Sequence, residues 1–151
     1  MNIYKSLNEI TEYIDKNLEE EIIYEVLAKM LGVNVYTMQR LFTMIAGISV
    51  SEYIRKRRLS SAGYDLYEGN LKVIDVAVKY QYDNATSFSR AFEKFHGIKP
   101  SLVNKETKLK NFPKIVFNEN INFTTELDYE IVNLDEMNLY GVSITTNNDE
   151  I

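Results

Sequence analysis

Arg40 and Arg90 stand fifty positions apart in matching surroundings. TMQRLFTMIAGISVS, 37–51, and SFSRAFEKFHGIKPS, 87–101, also pair Phe42 with Phe92 and Gly47 with Gly97 at the same interval. An arginine presents five N–H donors in a planar fork, which suits two acceptors held side by side, such as O6 and N7 of guanine. Tyr36, Gln39 and Thr43 surround the first arginine, and Thr86, Ser87, Ser89 and Glu93 the second. This is chemistry for hydrogen-bonded recognition rather than for bond making. An enzyme has almost no support: the chain has one histidine and no cysteine, and it lacks the Gly-rich phosphate loops, the G-x-S-x-G elbow and the H-E-x-x-H metal motif. No cofactor or metal is expected. His96 falls at a helix C-terminus, where the dipole favours its charged form, and a surface or packing role is expected of it.

The elements that carry these residues follow from apolar spacing. Ile3, Leu7, Ile10, Ile14 and Leu18 recur at threes and fours, which predicts an amphipathic helix with an acidic outer face; the run Glu19-Glu20-Glu21 reads as its solvated end. A short helix over 24–31 turns Leu27, Ala28 and Leu31 inward and stops at Gly32. Asn34 can cap a helix over 35–46 that buries Met38, Leu41, Phe42 and Ile45 and stops at Gly47. Helix, tight turn, helix is the outline of a helix-turn-helix. A long helix over 50–67 follows and carries Arg55-Lys56-Arg57-Arg58; these cations serve either phosphates or intramolecular partners such as Glu52 and Asp65. A second pair comes next: a short helix over 72–79 around Ile74, Ala77 and Val78, a turn at 81–84, and a helix over 85–96 that buries Phe88, Ala91, Phe92 and Phe95. Ala28 and Ala77 are forty-nine apart, so the second copy has one extra residue in its turn.

Two outward helices on one body can read two successive major-groove faces, about 34 Å apart. The central helix is the natural spacer, since about seventeen residues at roughly 1.5 Å each span on the order of 25 Å. Charge is distributed to match. The formal net charge is −5, yet residues 29–105 carry twelve Lys/Arg against six Asp/Glu, while 1–28 carry two against seven and 106–151 three against nine. A basic middle between acidic flanks sets the field that a polyanion meets.

L-A-x-x-L-G-V-N-x-x-x-M-Q-R-L-F, E-Y-I-R-K-R-R-L-S-S-A and I-D-V-A-V-K-Y-Q-Y-D-N-A-T-S-F-S-R-A-F-E-K-F-H-G-I-K-P-S together resemble the DNA-binding domain of AraC/XylS-type bacterial transcription regulators, over about 3–103. The resemblance implies a mainly α domain of about seven helices, in which two helix-turn-helix units are joined by a long central helix. It implies base contacts from Tyr36, Gln39, Arg40, Thr86, Ser87 and Arg90, with Ala85 beside them. Backbone contacts are expected from Asn34, Thr37, Arg55, Arg57, Arg58, Asn84 and Ser89. It also implies promoter DNA and RNA polymerase as partners and an activating role. In one place the chain departs from the family: Gln81-Tyr82 stands where Gly-Phe or Gly-Tyr is usual. Either Gln81 adopts a left-handed conformation at some cost or the second unit sits differently.

From Asn111 the chain resembles the linker and opening strands of the GyrI-like effector-binding domain of Rob-like regulators, with strands expected at 114–117, 129–134 and 139–145. The expected division is a DNA-binding domain over 1–105, a linker over 106–126 and the start of an incomplete effector domain over 127–151. A small-molecule effector is expected only for a full-length form, and strand pairing between two chains is a plausible dimer contact. No apolar run approaches the roughly 20 residues of a membrane span, and MNIYKSLNEI lacks a signal-peptide core. The location expected is therefore cytoplasmic, on the nucleoid. The competing function is a truncated binding module that pairs with a full-length regulator and modulates it.

Overall fold

The computed structural model describes residues 2–119. Six α-helices follow in order: α1 Ile3–Lys16, α2 Tyr24–Leu31, α3 Val35–Ala46, α4 Val50–Glu68, α5 Val73–Lys79 and α6 Ala85–His96, then a 3-10 turn, Pro100–Leu102. That turn takes the place of the seventh helix, because Pro100 at its start and the extended backbone of Val103 hold it to three residues.

Local chemistry sets most of the boundaries. The side-chain oxygens of Asn2, Asn34, Ser49 and Asn84 each accept from backbone N–H groups of the first turn that follows. Gly32, Gly47, Gly69 and Gly97 take the left-handed conformation at four helix ends.

Helices α1, α2 and α3 form the first unit around Leu7, Ile10, Leu27, Leu31, Met38 and Phe42, all fully buried. Helices α5 and α6 form the second around Val76, Ala77, Phe88 and Phe92. Helix α4 joins them. It buries residues on more than one face, from Val50, Tyr53 and Ile54 near its start to Ala62, Gly63 and Leu66 further on, because both units pack on it. Gly63 admits the closest approach, since a Cβ there would lie 2.8 Å from His96 Cε1 on α6.

In α5 the apolar face differs from expectation. Val76 and Ala77 are buried, whereas Ile74 and Val78 are 49% and 63% exposed. The pattern is that of the first unit shifted by forty-nine: Leu27, Ala28 and Leu31 become Val76, Ala77 and Tyr80, all buried.

The stretch 114–117 is no strand, and none occurs among the described residues. It belongs to an extended strap that leaves the 3-10 turn and returns over the helices. Leu109, Phe112 and Phe117 are buried. Side chains satisfy the strap's backbone. Phe112 N–H donates to Ser60 Oγ at 2.7 Å, and the Asn8 amide clasps Phe117 from both sides, accepting its N–H at 2.7 Å and donating to its carbonyl at 2.8 Å. With side chains as partners, extended backbone needs no neighbouring strand. Within the stretch expected as a linker, 106–126, the chain packs on the helices through Leu109, Phe112 and Phe117. The strands expected at 129–134 and 139–145 lie outside the described residues.

Candidate nucleic-acid interface

Helix α3 buries Met38, Phe42 and Ala46, which leaves Tyr36, Gln39, Arg40 and Thr43 exposed on the opposite side. Arg40 lies over the Tyr36 ring, with Cζ 5.6 Å from its centroid and Nη1 3.5 Å from its hydroxyl. Thr43 Oγ1 donates to the Gln39 carbonyl at 2.8 Å. On α6, Phe88, Phe92 and His96 are buried, and Thr86, Ser87 and Arg90 are exposed, with Ala85 and Ser89 half-buried. Among the described residues neither Arg40 nor Arg90 is in an ion pair. Their charges are therefore available to a ligand.

The N-terminus of each helix is built in the same way. Asn34 Oδ1 accepts from Thr37 N–H at 2.8 Å, and Asn84 Oδ1 accepts from Ser87 N–H at 2.8 Å. The cap occupies each oxygen and leaves the amide N–H₂ groups at the positive end of the helix dipole, suited to a phosphate oxygen. Thr37 is half-buried one turn into α3.

The basic run on α4 divides between two sides. Arg55 and Arg58 line a concavity with Tyr24, Ser51 and Tyr82 between the first unit and the turn of the second. Arg55 is bidentate to Glu52, at 3.0 and 2.6 Å, as one of the two expectations for this run had it. The pairing draws the Glu52 carboxyl below, and the Arg55 guanidinium above, their ordinary pKa ranges. Arg58 donates to the Leu18 and Glu20 carbonyls at 2.9 and 2.7 Å and has no carboxylate partner among the described residues. Burial pulls its pKa down.

Arg57, expected at the DNA backbone, is engaged elsewhere. Its side chain is 18% exposed, pairs with Asp15 at 2.9 Å and donates to the Phe112 carbonyl. A guanidinium held by a carboxylate on α1 and by the strap serves the fold.

For two residues the structure decides between alternatives that the sequence left open. His96 is buried and neutral. Its Nδ1 accepts from Lys110 N–H at 3.1 Å, so Nε2 carries the proton toward the Leu59 carbonyl at 2.8 Å, and burial pushes its pKa down to about 4. Gln81 takes φ 65°, which decides between the two alternatives in favour of the left-handed turn.

Comparison with known proteins agrees with this arrangement. A helix-turn-helix domain family matches residues 27–106. The HTH-type transcriptional activator AarP of Providencia stuartii is 40% identical over 96 residues, covering 64% of this chain and 71% of that protein. The structure of a probable AraC family transcriptional regulator from Rhodopseudomonas palustris CGA009 superimposes with a TM-score of 0.60 at 25% identity, over 64% of this chain and 92% of that one. The DNA-binding domain of AdpA, solved in complex with a target DNA, shares the fold with a TM-score of 0.58 at 21% identity, over 64% of this chain and 86% of that one. With two copies of the helical unit, one central helix and these relatives, the chain belongs to the AraC-type helix-turn-helix family.

Proposed function

We propose that this chain is a sequence-specific DNA-binding transcription regulator that inserts α3 and α6 into successive major-groove faces of promoter DNA. One observation carries the reading: two capped helices, repeated fifty residues apart on one body, each expose an arginine with no ion-pair partner among the described residues. Tyr36, Gln39 and Arg40 meet base edges from α3; Thr86, Ser87 and Arg90 meet them from α6. Asn34, Thr37, Asn84 and Ser89 hold phosphates at the helix starts, and Arg58 adds charge between the units, beside Arg55 in its pair with Glu52. Arg57 has no such part. We further propose an activating role with RNA polymerase as partner; the likeness to a protein named as a transcriptional activator supports the activating part.

The test is equilibrium binding of the chain to DNA selected from a random pool, titrated with salt. Affinity is expected to fall on the order of a hundredfold or more between about 50 and about 200 mM salt. Binding with no salt dependence would remove the electrostatic basis of the reading. It would favour a module that acts by pairing with another regulator.

A further inference from the structure

Gln81 is the one non-glycine residue with a positive φ among the described residues. The internal repeat supplies its comparison, for Gly32 occupies the same step forty-nine positions earlier with φ 71°. The hydrogen bonds of the two turns correspond. Gly32 N–H donates to the Lys29 carbonyl and Val33 N–H to that of Ala28, each at 3.1 Å; Gln81 N–H donates to the Val78 carbonyl at 3.1 Å and Tyr82 N–H to that of Ala77 at 3.0 Å. A side chain in this conformation brings its Cβ against backbone carbonyl oxygen, so glycine is the lower-energy choice for the turn itself. Strain at a position where the simpler residue would serve points to a use for the side chain.

That use is reach. Gln81 Nε2 donates to the Glu19 carbonyl at 2.7 Å, across sixty-two residues, in the loop that leaves α1 in the first unit. The same loop receives other donors from beyond α3: Arg58 on the Leu18 and Glu20 carbonyls, and Lys79 Nζ on the Glu19 carboxylate at 3.5 Å. Lys79 also pairs with Asp65 on α4 at 2.8 Å, so α4, α5 and this loop are tied at one place. The helices of the two units otherwise pack chiefly on α4 rather than on one another. An acidic run that reads as a solvated helix end therefore takes donors both from the second unit, through Gln81 and Lys79, and from α4, through Arg58.

We propose that Gln81 is a positioning residue whose tether to the Glu19 carbonyl fixes the pose of α6 relative to α3, and so sets the spacing between DNA segments that the chain accepts. This rests on the reading of α3 and α6 as the DNA-reading helices.

The chain has no cysteine. Nitroxide labels on Met44→Cys and Glu93→Cys, both exposed positions, would therefore report the distance between α3 and α6 in the full chain without DNA. Two variants remove the tether while tolerating positive φ. Gln81→Gly copies the first unit, and Gln81→Asn keeps the amide but is one methylene shorter. Both are expected to keep the parent's urea midpoint and to broaden or shift its distance distribution. On DNA selected by the parent, one base pair inserted between the two segments is expected to cost the parent about tenfold or more in affinity, and each variant less than about threefold. Unchanged distance distributions in both variants would overturn the tether, and an undiminished insertion penalty would overturn its role in spacing. A parent that selects no DNA would overturn the reading beneath the proposal, and the distance distributions then decide the tether by themselves.

Discussion

Arg40 is already held before any ligand arrives, with its guanidinium over the Tyr36 ring and within reach of the Tyr36 hydroxyl. A side chain ordered in advance loses less freedom on binding, which favours α3 as the more selective reader. Arg40→Ala is expected to cost about 1–3 kcal/mol on the selected site and to flatten base preference there; competition against single-base variants of the site measures both, and equal loss on random DNA would contradict base reading. Arg57→Ala should leave the DNA affinity of the folded chain unchanged while lowering stability by about 2 kcal/mol or more, since Asp15 is left largely buried without its partner. Urea unfolding and DNA titration separate the two effects. His96 gives stability a pH dependence whose sign follows from burial. Its folded pKa of about 4 lies below the ordinary 6.5, so the unfolded chain takes up the proton first as the pH falls. Stability from this group is complete above about pH 6.5 and is lost toward pH 4, at about 1.4 kcal/mol per pH unit, about 3 kcal/mol in all. Urea midpoints that stay flat across that interval would contradict a buried neutral imidazole.

The strap and the α4–α6 crossing decide how firmly the reading helices are mounted. Phe117 packs edge-on against Phe42 of α3 at 5.9 Å between centroids, and Phe112 against Tyr53 of α4 at 6.1 Å, so the strap closes the core beneath the first reading helix. Phe117→Ala is expected to destabilise by about 3 kcal/mol or more, read by thermal or urea unfolding. Gly63→Ala is expected to destabilise by about 1–3 kcal/mol although alanine is the better helix former, because its Cβ meets the His96 ring. Helix positions were legible in the sequence because their signals are local: asparagine caps, glycine stops, and apolar spacing repeated over three or more turns. Helix α5 was harder to read, since seven residues make fewer than two turns and leave its inner face undecided by periodicity. The repeat held the answer, through Leu27 and Ala28 standing for Val76 and Ala77. The strap has the pattern of a strand for a physical reason: Ile115 and Phe117 turn inward while Lys114 and Val116 turn out, and the side chain that partners Phe117 in place of a strand, Asn8, lies 109 residues away. The partner of Arg57 is equally hidden from local pattern, because Asp15 lies forty-two residues off.

At the scale of the whole molecule, the net charge is −5, while twelve of the seventeen Lys/Arg lie in residues 29–105, the part of the chain that carries α3 and α6. Part of the acidic flank is turned to internal use. Glu12 pairs with Lys114 of the strap at 2.6 Å and with Lys16 at 3.0 Å, which hold its carboxyl down to about 2, and Glu19 pairs with Lys79. Acidic residues of α1 and of the loop that follows it therefore fasten the strap and the second unit. What remains is a single body with one candidate reading helix in each unit, and the proposed function depends on both helices engaging DNA together. Selection of DNA from a random pool by the parent, by Arg40→Ala and by Arg90→Ala puts that to the test. The parent should return two blocks of base preference whose centres lie about ten base pairs apart, with Arg40→Ala flattening one block and Arg90→Ala the other. A single block, or two blocks that both variants weaken alike, would contradict the reading of two major-groove faces by α3 and α6.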